Sequence, residues 1–291
     1  MDISLALGGG GSRGYAHIGV LRCLLKEGFR IRAVAGTSAG GIVAVAYAAG
    51  ISPNHLEDVF AKVDQTKLFA RSPEEGPGIL GLSGAARLFE ELLGDKTFED
   101  LDIPCAVVAV DIKAGREVVL NQGRVVDALL ATVAVPGVFP PKQYGDALLV
   151  DGAVLNPVPV TNARALAPAL PVVAVVLEIM TEATSGINSL PLPVQVPAAL
   201  VARLTRTRVA QAFNIFLQSV DIGSRKMGEL RLLMDKPEVV IRPDVGGIGV
   251  LEKVDIPSII HKGEIATDIA LPELLQTLAW PNRLRRRVFQ R

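Results

Sequence analysis

Short apolar runs alternate with helically spaced stretches along most of the chain. ISLALG (3–8), IRAVA (31–35), CAVVAV (105–110), REVVL (116–120), ALLV (147–150), PVVAVVLE (171–178) and EVVIR (238–242) predict strands. Between them, apolar residues three and four apart predict helices near 14–27, 39–50, 53–62, 84–93, 124–133, 159–167, 199–234 with interruptions, and 256–279. Alternating strands and helices imply right-handed crossovers, and continuously apolar strands imply burial on both faces. The expected fold is α/β, a mostly parallel sheet covered by helices on both faces. Segments 71–83 and 181–198 read as linkers too short to separate domains, and no internal repeat is present. A single domain over 1–291 is expected, with a core at 3–178 and C-terminal helices plus one strand at 199–279.

Composition agrees. Hydrophobic residues make up 49% of the chain, aromatics 4%, and mean hydropathy is +0.38, which suits a doubly covered sheet or a surface that meets lipid or a partner. Thirty acidic and thirty basic residues cancel, so nothing global points to nucleic acid. Cys23 and Cys105 lack metal-ligand spacing and fit buried thiols of a cytoplasmic protein. MDISLALGG has no basic region ahead of its apolar run, so no leader peptide is expected. The charge-free stretch 33–56 is long enough for a membrane span, but its glycines, its proline and its central GTSAG favour a buried strand–turn–helix.

Two stretches carry chemistry. In GGGGSRGYAHIG (8–19), Gly9, Gly11 and Gly14 fit G-x-G-x-x-G between a strand and a helix. Such a loop serves either a dinucleotide pyrophosphate or a transient oxyanion. Gly36-Thr37-Ser38-Ala39-Gly40 is G-x-S-x-G at a strand-to-helix turn, the pattern of a nucleophile elbow. A dinucleotide site needs an acidic residue closing the second strand. Here that strand closes in the elbow, so the glycines are assigned to an oxyanion.

A serine nucleophile needs a base. His17, His55 and His261 all fall within expected helices rather than in a loop after a strand, which gives a Ser-His triad little support. Asp151, in YGDALLVDGAVLNPVPV, ends a short strand and is expected on the same edge of the sheet as Ser38. Gly152 and Ala153 after it leave room for close approach. An ordinary aspartate, with pKa about 3.9, is a weak base unless desolvated. Taken alone, Asp-Gly is also a common turn dipeptide.

Together these blocks resemble the patatin-like phospholipase family. LALGGGGSRGYAHIGVLRCL is similar to its oxyanion block, AVAGTSAGGIVAVAYA to its nucleophile block, and residues 131–160 to the block ending in its catalytic aspartate. VVIRPDVGGIG and HKGEIATDIALPEL look most like the bacterial branch related to neuropathy target esterase. The resemblance implies a three-layer α/β/α fold and a Ser38–Asp151 dyad without histidine. It also implies an oxyanion hole from the amides of Gly9, Gly10 and Gly11, with Arg13 bracing a loop that closes at Gly14. No metal or organic cofactor is implied, and the substrate would be a lipid or fatty-acyl ester, hydrolysed through an acyl-enzyme. An acyltransferase on the same dyad and a non-catalytic lipid-binding regulator are the alternatives. Thr132 stands where many relatives carry serine, a departure that touches no dyad residue but calls a helper hydroxyl there into question. Residues 63–100 are expected to line or cover the acyl site.

The tail PNRLRRRVFQR carries five arginines, with Trp280, Leu284, Val288 and Phe289 interleaved. Upstream, Arg203 and Arg206 precede an apolar stripe of Val209, Ala212, Phe213, Phe216 and Val220. This suits peripheral contact with an anionic membrane, while the same stripe could be core or the face of a homo-oligomer.

Overall fold

In the computed structural model, residues 1–177 and 208–278 are described. Strand β1 (Asp2–Leu7) pairs in parallel with β2 (Arg30–Thr37) on one side and β7 (Val172–Val175) on the other. Strands β3 (Cys105–Asp111) and β8 (Val239–Ile241) extend this parallel core to five strands. Three antiparallel strands complete the sheet: β4 (Arg116–Leu120), β5 (Lys142–Tyr144) and β6 (Ala147–Asp151).

Side chains alternate across the sheet with the two-residue period of a strand. Ile3, Leu5 and Leu7 join the large core, while Ala6 of the same strand turns to the other face. On the large-core side lie α1 (Ala16–Lys26), α2 (Ala39–Ala48), α3 (Pro53–Lys62), α4 (Ser83–Leu93), α5 (Val125–Thr132) and α8 (Ile256–Leu278). The opposite face is built from small residues, Ala6, Ala35 and Ala174, which let α6 (Val160–Leu166) approach closely. There Ser4 Oγ donates to the Ala163 carbonyl at 2.7 Å. The long helix α7 (Arg208–Asp235) packs against α6 and the 3-10 turn at Gly152–Val154.

The strand and helix order follows the pattern of the sequence, with informative departures. β5 was not expected, because KQY has no apolar run; it forms by pairing with β6 across a turn at Gly145, where φ is +56°. Helix α7 is continuous over its described length rather than interrupted. Stretch 33–56 folds as β2, the elbow, α2 and the start of α3, and among the described residues no helix is long and apolar enough to cross a membrane. The linker at 181–198, the helix start at 199, Arg203, Arg206 and the arginine tail lie outside the described residues.

One topological feature positions the site. Val107 and Val108 of β3 pair with both β2 and β4, while Ala109, Val110 and Asp111 pair with both β4 and β6. A strand has only two hydrogen-bonding sides, so β2 and β6 share one side of β3 and run toward each other. β2 ends at Thr37, opposite Val108; β6 ends at Asp151, opposite Ala109.

Candidate active site

The elbow is formed by the turn from β2 into α2. Ser38 has φ 53° and ψ −123°, a left-handed value rare for a residue with a Cβ and one that stores strain. Strand and helix can cross this closely because Gly36 and Gly40 lack side chains: a Cβ on Gly36 would collide with the Gly40 carbonyl. Two neighbours hold the strained backbone. The Ser38 N–H donates to Thr132 Oγ1 at 2.9 Å, and Thr132 Oγ1 donates to the Val108 carbonyl. Thr37 Oγ1 donates to the Asn156 carbonyl at 2.9 Å. The threonine at 132 thus supplies a hydroxyl to the elbow, where its departure from the family's serine had put one in question.

Asp151 Oδ2 accepts a hydrogen bond from Ser38 Oγ at 2.6 Å, and its Oδ1 accepts from the Ala153 N–H at 2.8 Å. Both side chains are buried, Ser38 at 7% and Asp151 at 3% exposure. Desolvation raises the Asp151 pKa to about 6, against the lowering effect of its two hydrogen bonds. Asp151 lies beside Ser38 at the edge where β2 ends, as expected, but its strand arrives there from the opposite direction. β6 is antiparallel to β3, so its carboxyl end points away from the edge where the parallel strands finish. Asp151 reaches Ser38 because β6 stops where β2 stops, end to end.

The glycine loop follows β1. Gly11 has φ +58°, and a Cβ there would collide with the Val250 carbonyl. Of the three amides expected to face an oxyanion, that of Gly9 is already engaged, donating to the Pro157 carbonyl at 2.9 Å. The amides of Gly10 and Gly11 are taken up by no backbone partner among the described residues. Arg13 is buried and braces the loop, its Nε donating to the Ile248 carbonyl at 3.0 Å and its Nη1 to the Leu177 carbonyl at 3.3 Å. Gly14 faces Ala39 at the start of α2, holding loop and elbow together.

None of the three histidines bonds to Ser38 or Asp151. His17 is fully buried, with Nε2 2.8 Å from the Gly8 carbonyl, and burial lowers its pKa to about 4. It supports the glycine loop from below. His55 sits in the first turn of α3, its N–H donating to Ser52 Oγ, and His261 is exposed on α8 beside Glu264.

Ser38 lies where two cavities meet. The first, about 150 Å³, is bounded by the glycine loop, Asp151 and Ala153 on one side and by Leu217, Val220, Asp221, Ser224 and Arg225 of α7 on the other. The second, about 120 Å³, runs among α2, α3 and α4; Ile42, Phe60, Phe69, Leu82, Leu88 and Phe89 line it, and among the described residues no charged side chain does. Of the stripe expected on α7, Val220 lines the first cavity and Phe213 packs near Gly137, while Ala212 and Phe216 are exposed. Among the described residues no three His, Cys, Asp or Glu side chains gather as a metal site requires.

A polar network behind the elbow had no sequence signal beyond a lone Asn-Pro. Asn156 Nδ2 donates to Asn162 Oδ1 at 2.9 Å and to Glu117 Oε1 at 3.1 Å, and Arg231 of α7 pairs with Glu117 at 3.0 Å. It connects α7 to the loop that holds Thr37.

The family model described as patatin-like phospholipase matches residues 5–164. An uncharacterized NTE family protein of Mycobacterium bovis is 36% identical over 158 residues, covering 54% of this chain and 44% of that protein. Another, from Mycobacterium tuberculosis, is 30% identical over 289 residues, covering 94% of this chain and 48% of that protein. The mouse patatin-like phospholipase domain-containing protein 6 is 32% identical over 171 residues, covering 56% of this chain and 13% of that protein. The chain thus spans less than half the length of these relatives. Among solved structures, VipD from Legionella pneumophila shares the fold, with a TM-score of 0.54 and 13% identity over 94% of this chain and 66% of that one.

Proposed function

Because the chain belongs to the patatin-like phospholipase family, we propose that it is a lipid acyl hydrolase working through a Ser38–Asp151 dyad. The observation that carries this reading is the 2.6 Å hydrogen bond from a strained, buried serine to a desolvated carboxylate. That length is typical of a hydroxyl donating to an ionised oxygen. A base with pKa near 6 is also far better matched to neutral pH than an ordinary aspartate.

Ser38 Oγ attacks the ester carbonyl as Asp151 takes its proton, and the amides of Gly10 and Gly11 receive the oxyanion. Asp151 returns the proton to the departing alcohol, leaving an acyl-serine. It then takes a proton from water, which attacks the acyl-serine, and returns that proton to the departing Ser38 Oγ as the fatty acid is released. The acyl chain occupies the uncharged cavity among α2, α3 and α4, whose lining costs it no desolvation of charge. The alcohol half lies in the cavity under α7. The chain acts as one domain on this reading, since β8 continues the sheet that carries the dyad. Exposed Ile215, Ile222, Leu233 and Met234 on α7 support peripheral contact with lipid.

Labelling with a fluorophosphonate ester, with the adduct mapped by mass, tests the reading. Modification of Ser38, and its loss in Ser38→Ala, is the expected result. An adduct elsewhere, or undiminished hydrolysis by folded Ser38→Ala, overturns it.

A further inference from the structure

The cavity beneath α7 contains an arginine whose hydrogen-bonding capacity is unused. Arg225 is only 20% exposed at its side chain, and Asp221, one turn earlier, is 18% exposed. Arg225 Nε sits 3.3 Å from Asp221 Oδ2 without the alignment of a hydrogen bond, and the guanidinium makes none among the described residues. The other largely buried arginines differ. Arg22, Arg164 and Arg231 each place a terminal nitrogen on a carboxylate oxygen, and Arg13 places two nitrogens on carbonyls. The Arg225 Nε is buried without an acceptor, and its terminal nitrogens hold no protein acceptor among the described residues, so a ligand that brings oxygens completes a donor set that the protein leaves open.

Its place gives it a role. Arg225 lines the same cavity as Ser38, Gly10, Gly11 and Asp151, and it is absent from the lining of the uncharged second cavity. An ester bound at Ser38 has two halves. With the acyl half in the uncharged cavity, the alcohol half must face α7. There, among the described residues, the cationic groups are Arg13, committed to loop carbonyls, and Arg225.

Resting on the hydrolase reading above, we propose that Arg225 is a specificity-determining residue that receives an oxyanion, phosphate or carboxylate, on the alcohol half of the ester. The planar fork of arginine matches either group bidentately. Asp221 restrains the guanidinium and opposes the incoming anion, so the two residues have effects of opposite sign. Ser224, between them, donates its Oγ to the Ala153 carbonyl at 2.9 Å and fixes this turn of α7 to the turn after Asp151.

The test compares kcat/KM of the full chain on palmitoylglycerol 3-phosphate and a palmitoyl ester of glycerate with that on monopalmitoylglycerol. Arg225→Gln is expected to lower the anionic-to-neutral ratio roughly 10- to 100-fold, the range of a charged hydrogen bond. Asp221→Asn is expected to raise it, and Arg225→Lys to keep part of it. Whether the phosphate or the glycerate ester loses more identifies the preferred oxyanion. An unchanged ratio in Arg225→Gln, or a fall of the ratio in both Arg225→Gln and Asp221→Asn, overturns the proposal, because a purely structural ion pair weakens alike from either side. Calorimetric binding of palmitoylglycerol 3-phosphate to Ser38→Ala, with and without Arg225→Gln, separates this inference from the hydrolase reading. If the wild type hydrolyses no ester, that reading fails, yet weaker binding on loss of Arg225 still supports the anion site. Equal binding by the two variants refutes it.

Discussion

Ser38 Oγ and Asp151 Oδ2 lie 2.6 Å apart across 113 residues of sequence because β2 and β6 meet end to end on one side of β3. The meeting point is inside the molecule, and this sets the electrostatics of the pair. The carboxylate keeps two hydrogen bonds but loses most of its water, and its pKa rises to about 6.

Asp151→Asn should lower turnover about a hundred- to ten-thousand-fold, the usual contribution of a general base. In the wild type, kcat/KM should rise with pH through about 6 as Asp151 ionises. The sign for stability is opposite. A carboxyl whose pKa climbs from 3.8 unfolded to about 6 folded contributes stability below 3.8 that is lost as pH rises through 6. Asp151→Asn should therefore be more stable than wild type above pH 7, by roughly 3 kcal/mol for a shift of this size. Denaturant titrations at pH 4 and pH 8 check this, and a gap that does not widen at pH 8 refutes the assignment.

Thr132→Val should cost about 1–3 kcal/mol, because it leaves the Ser38 N–H and the Val108 carbonyl without their shared hydroxyl. Turnover should fall with it, since the elbow loses its backbone anchor. Thr132→Ser should restore most of both, and a serine variant as impaired as the valine one would show that the methyl group, not the hydroxyl, matters.

His55→Ala and His261→Ala should retain near wild-type turnover, as both side chains sit on outer helices away from the dyad. His17→Ala should behave differently. It removes a buried ring and its contact to the Gly8 carbonyl, lowering Tm by several degrees. A folded but inactive His261→Ala would revive the triad.

Ala85 lines the uncharged cavity, so Ala85→Leu should shorten the acyl chain that fits. Each excluded methylene forfeits about 0.8 kcal/mol, and loss of two or three amounts to roughly 10- to 60-fold in kcat/KM. Palmitoyl esters should suffer this loss relative to butyryl esters. Equal effects on both would place the acyl chain elsewhere.

The full chain should co-sediment with anionic vesicles at low salt and release as ionic strength rises. Truncation after Pro281 should weaken that binding while hydrolysis of a short soluble ester persists. Equal binding to neutral and anionic vesicles would deny the arginines any part in it.

The elbow and the glycine loop were legible in the sequence because their geometry is local. Gly36 and Gly40 permit the tight turn within five residues, and the charge-free run after them can only be a buried helix. Asp151 could be nominated because it follows a short apolar strand, but its route to Ser38 was misread. Strand direction depends on which partner a strand finds, and ALLV carries no mark of that. Nor could the glycines announce that Gly9 would give its amide to Pro157, leaving Gly10 and Gly11. The hydroxyl that Thr132 lends to Ser38, the full burial of His17 and the unfilled guanidinium of Arg225 likewise had no signature. The sequence by itself determined the elements other than β5, and the two residues that meet. Tertiary structure decided their direction, their dryness and their partners, because hydrogen-bond pairing and desolvation arise only between segments far apart in the chain.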